Sequence, residues 1–362
     1  MKRRTFLQAA VAIPFVAKIP IVAEVHAALQ GEGWRIYEVN TKLEIANAAG
    51  VSRAWIPLPY TAKTAWHTPL GNVWSGNGQM KAITESKYGA EMLYVEWNEG
   101  EKNPLLEVIS RFAARDRSVD FSKSNPNAQG LPETELRLYT EPTELIPTDG
   151  IVFETARDIT RFAKTDIEKA RAIYEWVVDN TFRDPKVKGC GWGDIKTMLE
   201  TRYFGGKCGD LNALFVGLAR SAGVAARDIY GVRVAPSQLG YNSLGLGSAN
   251  ASKGQHCRAE FYAQGIGWVP VDPADVRKVV LEEPPGNLEI NDPKVVAIRQ
   301  KLFGSWEMNW LAYNTAHDVV LPNSRIKIPY FMYPNGETGG KMLDQLSPET
   351  FQYTITVQQI TA

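Results

Sequence analysis

Histidine and cysteine are scarce. The 362 residues include four histidines and three cysteines, none at zinc-ligand spacing. That argues against a metal site, and no cofactor is expected. No clustered acidic loop suggests calcium. An excess of charge is also missing, since 40 basic residues balance 40 acidic ones. A nucleic-acid partner, which needs a basic field, is therefore not expected. Beyond the first 27 residues no apolar run is long enough to cross a bilayer. Internal repeats and low-complexity tracts are absent. The glycine-rich stretch at 240–254 lacks the Gly-Lys-Ser/Thr ending of a phosphate loop. It reads as a mobile loop that borders a cleft.

Residues 1–27 form a separate unit. A charged head precedes an apolar run that ends in the small residues Val25 and Ala27, which is the pattern of a cleaved secretory signal. Arg3-Arg4-Thr5-Phe6-Leu7 resembles a twin-arginine export signal, and Lys18 and prolines interrupt the apolar run. A soluble mature chain in the periplasm or outside the cell is expected.

The remainder divides in two. Residues 28–146 read as an all-β, sandwich-like domain. In 34–46, Tyr37, Val39, Leu43 and Ile45 share one face, and Glu38, Asn40, Lys42 and Glu44 the other. Runs rich in Gly, Asn and Pro, such as 70–79, read as turns between strands. A polar, Pro-containing connection spans 125–150. Residues 147–362 read as an α+β catalytic domain with C-terminal strands. Thr165 and Glu168 make a capping box, followed by an apolar helix face of Ile167, Ala170, Ile173, Tyr174, Val177 and Val178. A short helix ends at Gly205-Gly206. The next runs from about Gly209 to Ala222 and stops at Gly223. Strand-like segments dominate thereafter.

Three residue types in this second region carry chemistry. Cys208 directly precedes the 209–222 helix, where unpaired N–H groups and the helix dipole favour a thiolate. His256 opens one strand-like segment, and Asp272 closes another. A thiol, an imidazole that pairs with it and a carboxylate that orients the imidazole make an activated nucleophile. His317 beside Asp318 could imitate the pair, but neighbours on a strand point apart. Asp275 rivals Asp272, while Asp210 falls in the first helical turn and suits the dipole there. The odd cysteine count leaves one thiol over if two pair. A Cys190–Cys257 bridge would leave Cys208 free. Alternatively all three stay reduced, with Cys257 on the strand face opposite His256, beside Ala259 and Phe261. Oxyanion donors are also required. The Cys208 backbone N–H is the first, with Trp192 and Tyr203 as side-chain candidates.

From about Pro147 to Lys278 the chain resembles the transglutaminase-like superfamily. The resemblance rests on Cys208 at a helix start, Gly-Val-Ala-Ala-Arg at 223–227, His256 opening a strand and Gly-Trp-Val-Pro-Val-Asp-Pro at 267–273. It implies a papain-like core with helices packed on an antiparallel sheet. It also implies catalytic roles for Cys208, His256 and Asp272, and an upstream aromatic such as Trp192 near the thiol. The superfamily spans cross-linkers, deamidases, peptidases and amidases, and some members have lost the triad. The expected function is an exported peptidase or amidase that forms a thioester at Cys208 on a protein or peptide of the cell envelope. The alternatives are a cross-linking transglutaminase and a non-catalytic scaffold of the same fold.

Replacing Arg3 and Arg4 by lysine should block export of a tagged chain. Fractionation into cytoplasm and exterior reads the outcome, and undiminished export would count against the twin-arginine route.

Overall fold

The computed structural model describes residues 33–125 and 127–360. The signal expected at 1–27, with Arg3, Arg4 and Ala27, lies outside them. The first strand, Arg35–Ile45, buries Tyr37, Val39, Leu43 and Ile45 and exposes Lys42 and Glu44. It sits inside a four-stranded antiparallel sheet ordered Phe351–Ile360, Arg35–Ile45, Leu105–Ala114, His67–Gly76. A five-stranded sheet is ordered Lys341–Met342, Asn335–Thr338, Ser52–Pro57, Glu91–Trp97, Gln79–Thr84. Leu43, Ile45, Leu106 and Val108 of the first sheet pack against Ala54, Ile56, Leu93 and Val95 of the second. The two inner faces therefore share one core, as in a sandwich.

Two expectations change here. The segment at 70–79, read as a turn, is mostly the edge strand His67–Gly76. An edge tolerates proline and glycine: the register shifts between Pro69 and Gly71, where Gly71 takes φ +107. Of the C-terminal strands, expected with the catalytic region, Trp310–Asn314 does join its sheet, but Asn335–Thr338, Lys341–Met342 and Phe351–Ile360 pair into the two sheets of the sandwich. There they cover the edges of Arg35–Ile45 and Ser52–Pro57, which would otherwise offer unpaired backbone groups.

In the helical region, Thr165 and Glu168 close their capping box over the helix Asp166–Asn180. The helix Ile195–Thr201 stops short of the expected Gly205-Gly206, because Arg202 takes a left-handed φ of 56. Gly205–Gly206 forms a short parallel pairing with Phe182–Arg183 instead. The helix Cys208–Ser221 follows, and Gly223 turns out of it at φ +82. It packs Leu214, Phe215 and Leu218 into one core with Ala259, Phe261 and Val269. Those last residues lie on an antiparallel sheet ordered Gly267–Val271, Gln255–Ala263, Ala226–Arg233, Trp310–Asn314. The whole is an α+β fold with helices on one antiparallel sheet. Among the described residues no helix is long and apolar enough to cross a membrane.

A second core joins the two layers. Tyr37, Val39, Phe112 and Ile355 of the sandwich bury against Ile229, Val232, Trp310 and Leu311 of the central sheet. Ile355→Ala should lower the unfolding free energy by about 2–5 kcal/mol, the cost of a large-to-small change in a packed core. A urea titration reads this as a lower midpoint at unchanged slope. An unmoved midpoint would mean that Ile355 is not part of a tight joint.

Candidate active site

Backbone geometry delivers Cys208 to its place. The Asp210 carboxylate accepts N–H groups from Lys207 (2.9 Å), Trp192 (3.0 Å) and Gly193 (3.0 Å). It thereby fastens the 190–193 loop to the start of the Cys208 helix. Gly191 makes this possible: its φ is +89, and a Cβ there would stand 1.8 Å from Asp210 Oδ2. Gly209 N donates to Cys190 O at 2.7 Å, which sets Cys190 beside Cys208. Among the described residues nothing accepts from the Cys208 N–H, as expected of the first turn of a helix.

His256 lies near the start of an interior strand of the central sheet and is buried. Its Nε2 meets Asp272 Oδ2 at 2.8 Å and Asp275 Oδ1 at 3.5 Å. Nδ1 is therefore the nitrogen left for the Cys208 sulfur, with which the imidazole interacts. Asp272 is itself held. It caps the helix Pro273–Glu282, its Oδ1 accepting from Asp275 N at 3.0 Å, with Pro273 at the first helical position. Asn212 Nδ2 stands 3.4 Å from the same oxygen. Asp275 is clamped by Arg233 Nη2 at 2.6 and 2.7 Å. Arg258 Nε lies 3.6 Å from Asp272, and its guanidinium packs on the Trp310 ring at 4.9 Å.

These neighbours set the charges. The neighbouring Cys190 and Cys257 thiols, with His256, hold the Cys208 thiol well below the ordinary value against the opposing pull of burial. Cys190 moves well above its ordinary value, chiefly through its nearness to Cys208, and Cys257 does so chiefly through burial. Burial lowers the His256 imidazole, but Asp275 and Asp272 outweigh burial and Arg233 together and push it up to about 9. Burial opposes ionisation of Asp275 too, yet Arg233 and His256 hold its carboxyl well below the usual range. His256, Asp272 and Asp275 are close enough to share a cation. Arg233 already supplies Asp275 with one, so the donor set does not fit a metal.

The other candidates stand elsewhere. Of the two cysteine alternatives the structure has the reduced one: all three cysteines are free, no Cys190–Cys257 bridge is formed, and Cys190 Sγ donates to Gln255 O at 3.3 Å. Trp192 is 72% exposed and lines an adjoining hollow with Tyr230 and His317. Tyr203 donates its hydroxyl to Asp184 at 2.7 Å. His317 is paired with Tyr230 Oη at 3.3 Å and Asp228 Oδ2 at 3.4 Å, while Asp318, at φ +55, accepts from Glu144 N. Sequence reading passed over Arg233, Arg258 and Asn212. Arg233 and Arg258, both in the central sheet, carry the one signal that could have found them, a charged residue inside an apolar strand.

Cys208, His256 and Arg233 open on a cavity of about 850 Å³. The 240–254 loop does border it, but the loop is anchored. Ala251 N donates to Ile355 O at 2.7 Å, and Val357 N donates to Ala249 O at 2.9 Å.

A model of the transglutaminase-like superfamily matches residues 154–273, which include Cys208, His256 and Asp272. An uncharacterised protein of Haemophilus influenzae is 38% identical over 336 residues, 88% of this chain and 90% of that one. A solved structure from Cytophaga hutchinsonii, described as a candidate cysteine protease, superposes with a TM-score of 0.56 at 11% identity. The superposition covers 91% of this chain and 92% of the other, and the likeness is one of fold. The motifs, the fold and the matched model agree that this chain belongs to the transglutaminase-like superfamily.

Proposed function

We propose that the protein is an exported thiol hydrolase, a peptidase or amidase acting on the cell envelope, with Cys208 as nucleophile, His256 as acid and base, and Asp272 orienting the imidazole. One observation carries the reading: a thiol at a helix start shares an open cleft with an imidazole whose far nitrogen is held by a carboxylate at 2.8 Å. The Cys208 thiolate attacks the amide carbonyl carbon. The oxygen that gains charge is stabilised by the unpaired Cys208 N–H and the helix dipole. His256 gives its proton to the departing amine, and the C–N bond breaks to leave a thioester. His256 then takes a proton from water, and the hydroxide attacks the thioester. The acid product leaves, and the thiolate and imidazolium are restored. Exposed residues such as Lys188 and Glu349 rim the cleft, so water reaches the thioester. The export assignment rests on the 1–27 pattern.

Cys208→Ala should lower turnover of a peptide amide by about four orders of magnitude or more, and His256→Ala by nearly as much, because the parts act as a unit. Asp272→Asn should retain more, a loss of about 10²–10³-fold, since it keeps the helix cap and leaves Asp275 on the same nitrogen. Circular dichroism and a melting curve show first that each variant is folded. Wild-type turnover by folded Cys208→Ala would remove the thiol mechanism.

The pH profile gives a second test. His256 is raised to about 9, so its acid form persists through neutral pH, and kcat/KM should fall as pH rises through that value. Alkylation of Cys208 by iodoacetamide should already be fast at neutral pH, because its thiol lies well below the ordinary range. A single rise in alkylation at the pH of an ordinary thiol would oppose the ion pair.

A further inference from the structure

The cleft in front of Cys208 is charged on one side, although the chain as a whole is neutral. Lys186, Lys188, Lys207 and Lys253 all line it, and none of the four closes an ion pair with another described residue. They come from separate places: the turn after Phe182–Arg183, the N-cap of the Cys208 helix, and the anchored loop before the His256 strand. Besides the His256 imidazolium, three further lysine and arginine side chains line the cleft but are already engaged. Arg183 and Lys278 share Glu282, and Arg233 is clamped on Asp275. The Asp184 carboxyl is held low first by the Tyr203 hydroxyl and the Lys186 N–H, with smaller contributions from the Lys186 and Lys207 charges. Apart from the Cys208 thiolate, the negative charge in the lining comes from Asp344 and Glu349, and Asp344 already accepts from Leu346 N.

Four ammonium groups that close no salt bridge with another described residue line this one cleft, and exposed charges of this kind add little to the stability of the fold. They do have a consequence for ligands. A cleft lined by one sign of charge focuses the field and raises the local concentration of counter-charged solutes, with on-rate gains of roughly 10–10³-fold. The two carboxylates sit on the 344–353 segment and the four lysines, which outnumber them, on the other elements of the lining.

We propose that this cleft selects acidic peptides, binding carboxylates beside the scissile amide on Lys186, Lys188, Lys207 and Lys253 while Cys208 attacks. The proposal rests on the reading of Cys208 as the nucleophile and names the substrate class for that site. Basic peptides are rejected by the same wall, which makes the selection a difference between attraction and repulsion.

The Cys208 thiol itself can report the charge of the cleft. Iodoacetate and iodoacetamide form the same S–C bond and expel the same iodide, but only the first carries a carboxylate. The quantity measured is the ratio of their Cys208 alkylation rates, taken relative to the same ratio for a free cysteine derivative. In the wild-type protein at low salt the relative ratio should be about tenfold or more above one. It should fall steeply as salt shortens the screening length from roughly 30 Å to 3 Å. The His256 imidazolium also attracts iodoacetate, so the lysines are isolated with the double variant Lys186→Glu/Lys188→Glu. Both side chains are exposed, and circular dichroism checks the fold. In this variant the ratio should drop several-fold. A wild-type ratio near one, or a ratio untouched by the double substitution, overturns the proposal. Slow iodoacetamide alkylation at neutral pH would instead overturn the nucleophile reading, while the ratio still reports the charge of the cleft.

Discussion

The structure depends on balancing a set of charges taken out of water. His256, Asp272, Asp275, Arg233 and Arg258 are all buried. An isolated ion at such depth costs several kcal/mol even after relaxation, so none can stand alone. Each here has a neighbour of opposite sign: Asp272 between His256 and Arg258, Asp275 between Arg233 and His256. With the Cys208 thiol ionised, three negative groups face three positive ones. The thiolate is thus one member of a balanced set, and the fold around it is arranged to keep the partners in place. Trp310 stacks on Arg258 and donates its indole N–H to His256 O at 2.8 Å, tying the cluster to the strand beyond.

Local pattern made part of this arrangement legible. The Cys208 helix was readable because Leu211, Leu214, Phe215 and Leu218 repeat at helical spacing and Gly223 ends the run. The placement of His256 at the start of a strand followed from alternation and from the family motif. What could not be read were contacts between residues distant in sequence. Nothing near Phe351 says that it will pair with Ile45, because strand pairing is a choice among many edges. The same holds for Cys190 and Cys257. Counting cysteines suggests a bridge, yet the sulfurs flank a third, and only the folded backbone shows that Gly209 holds Cys190 there. Arg202 adopting a left-handed φ, which ended a helix early, is likewise a tertiary outcome.

The sandwich and the cleft are one construction. The segment 344–353 lines the cleft and runs into the final strand, Phe351–Ile360, paired along Arg35–Ile45. That strand also holds the 240–254 loop: Ser252 Oγ accepts Ile355 N at 2.9 Å, and Asn250 bridges to Thr356. Two walls of the cleft are therefore positioned by a strand belonging to the N-terminal sheet. Asp344 and Glu349 arrive just before the sandwich strand, Lys253 on the loop which that strand holds, and Lys186, Lys188 and Lys207 with the helical layer. The two layers meet in the shared core of Tyr37, Val39, Ile355, Val232 and Trp310. The Cys208 helix has a core of its own in Leu214, Phe215, Phe261 and Val269. The imidazole draws on both layers, because Trp310, which holds His256 O and carries Arg258, belongs to the joint between them.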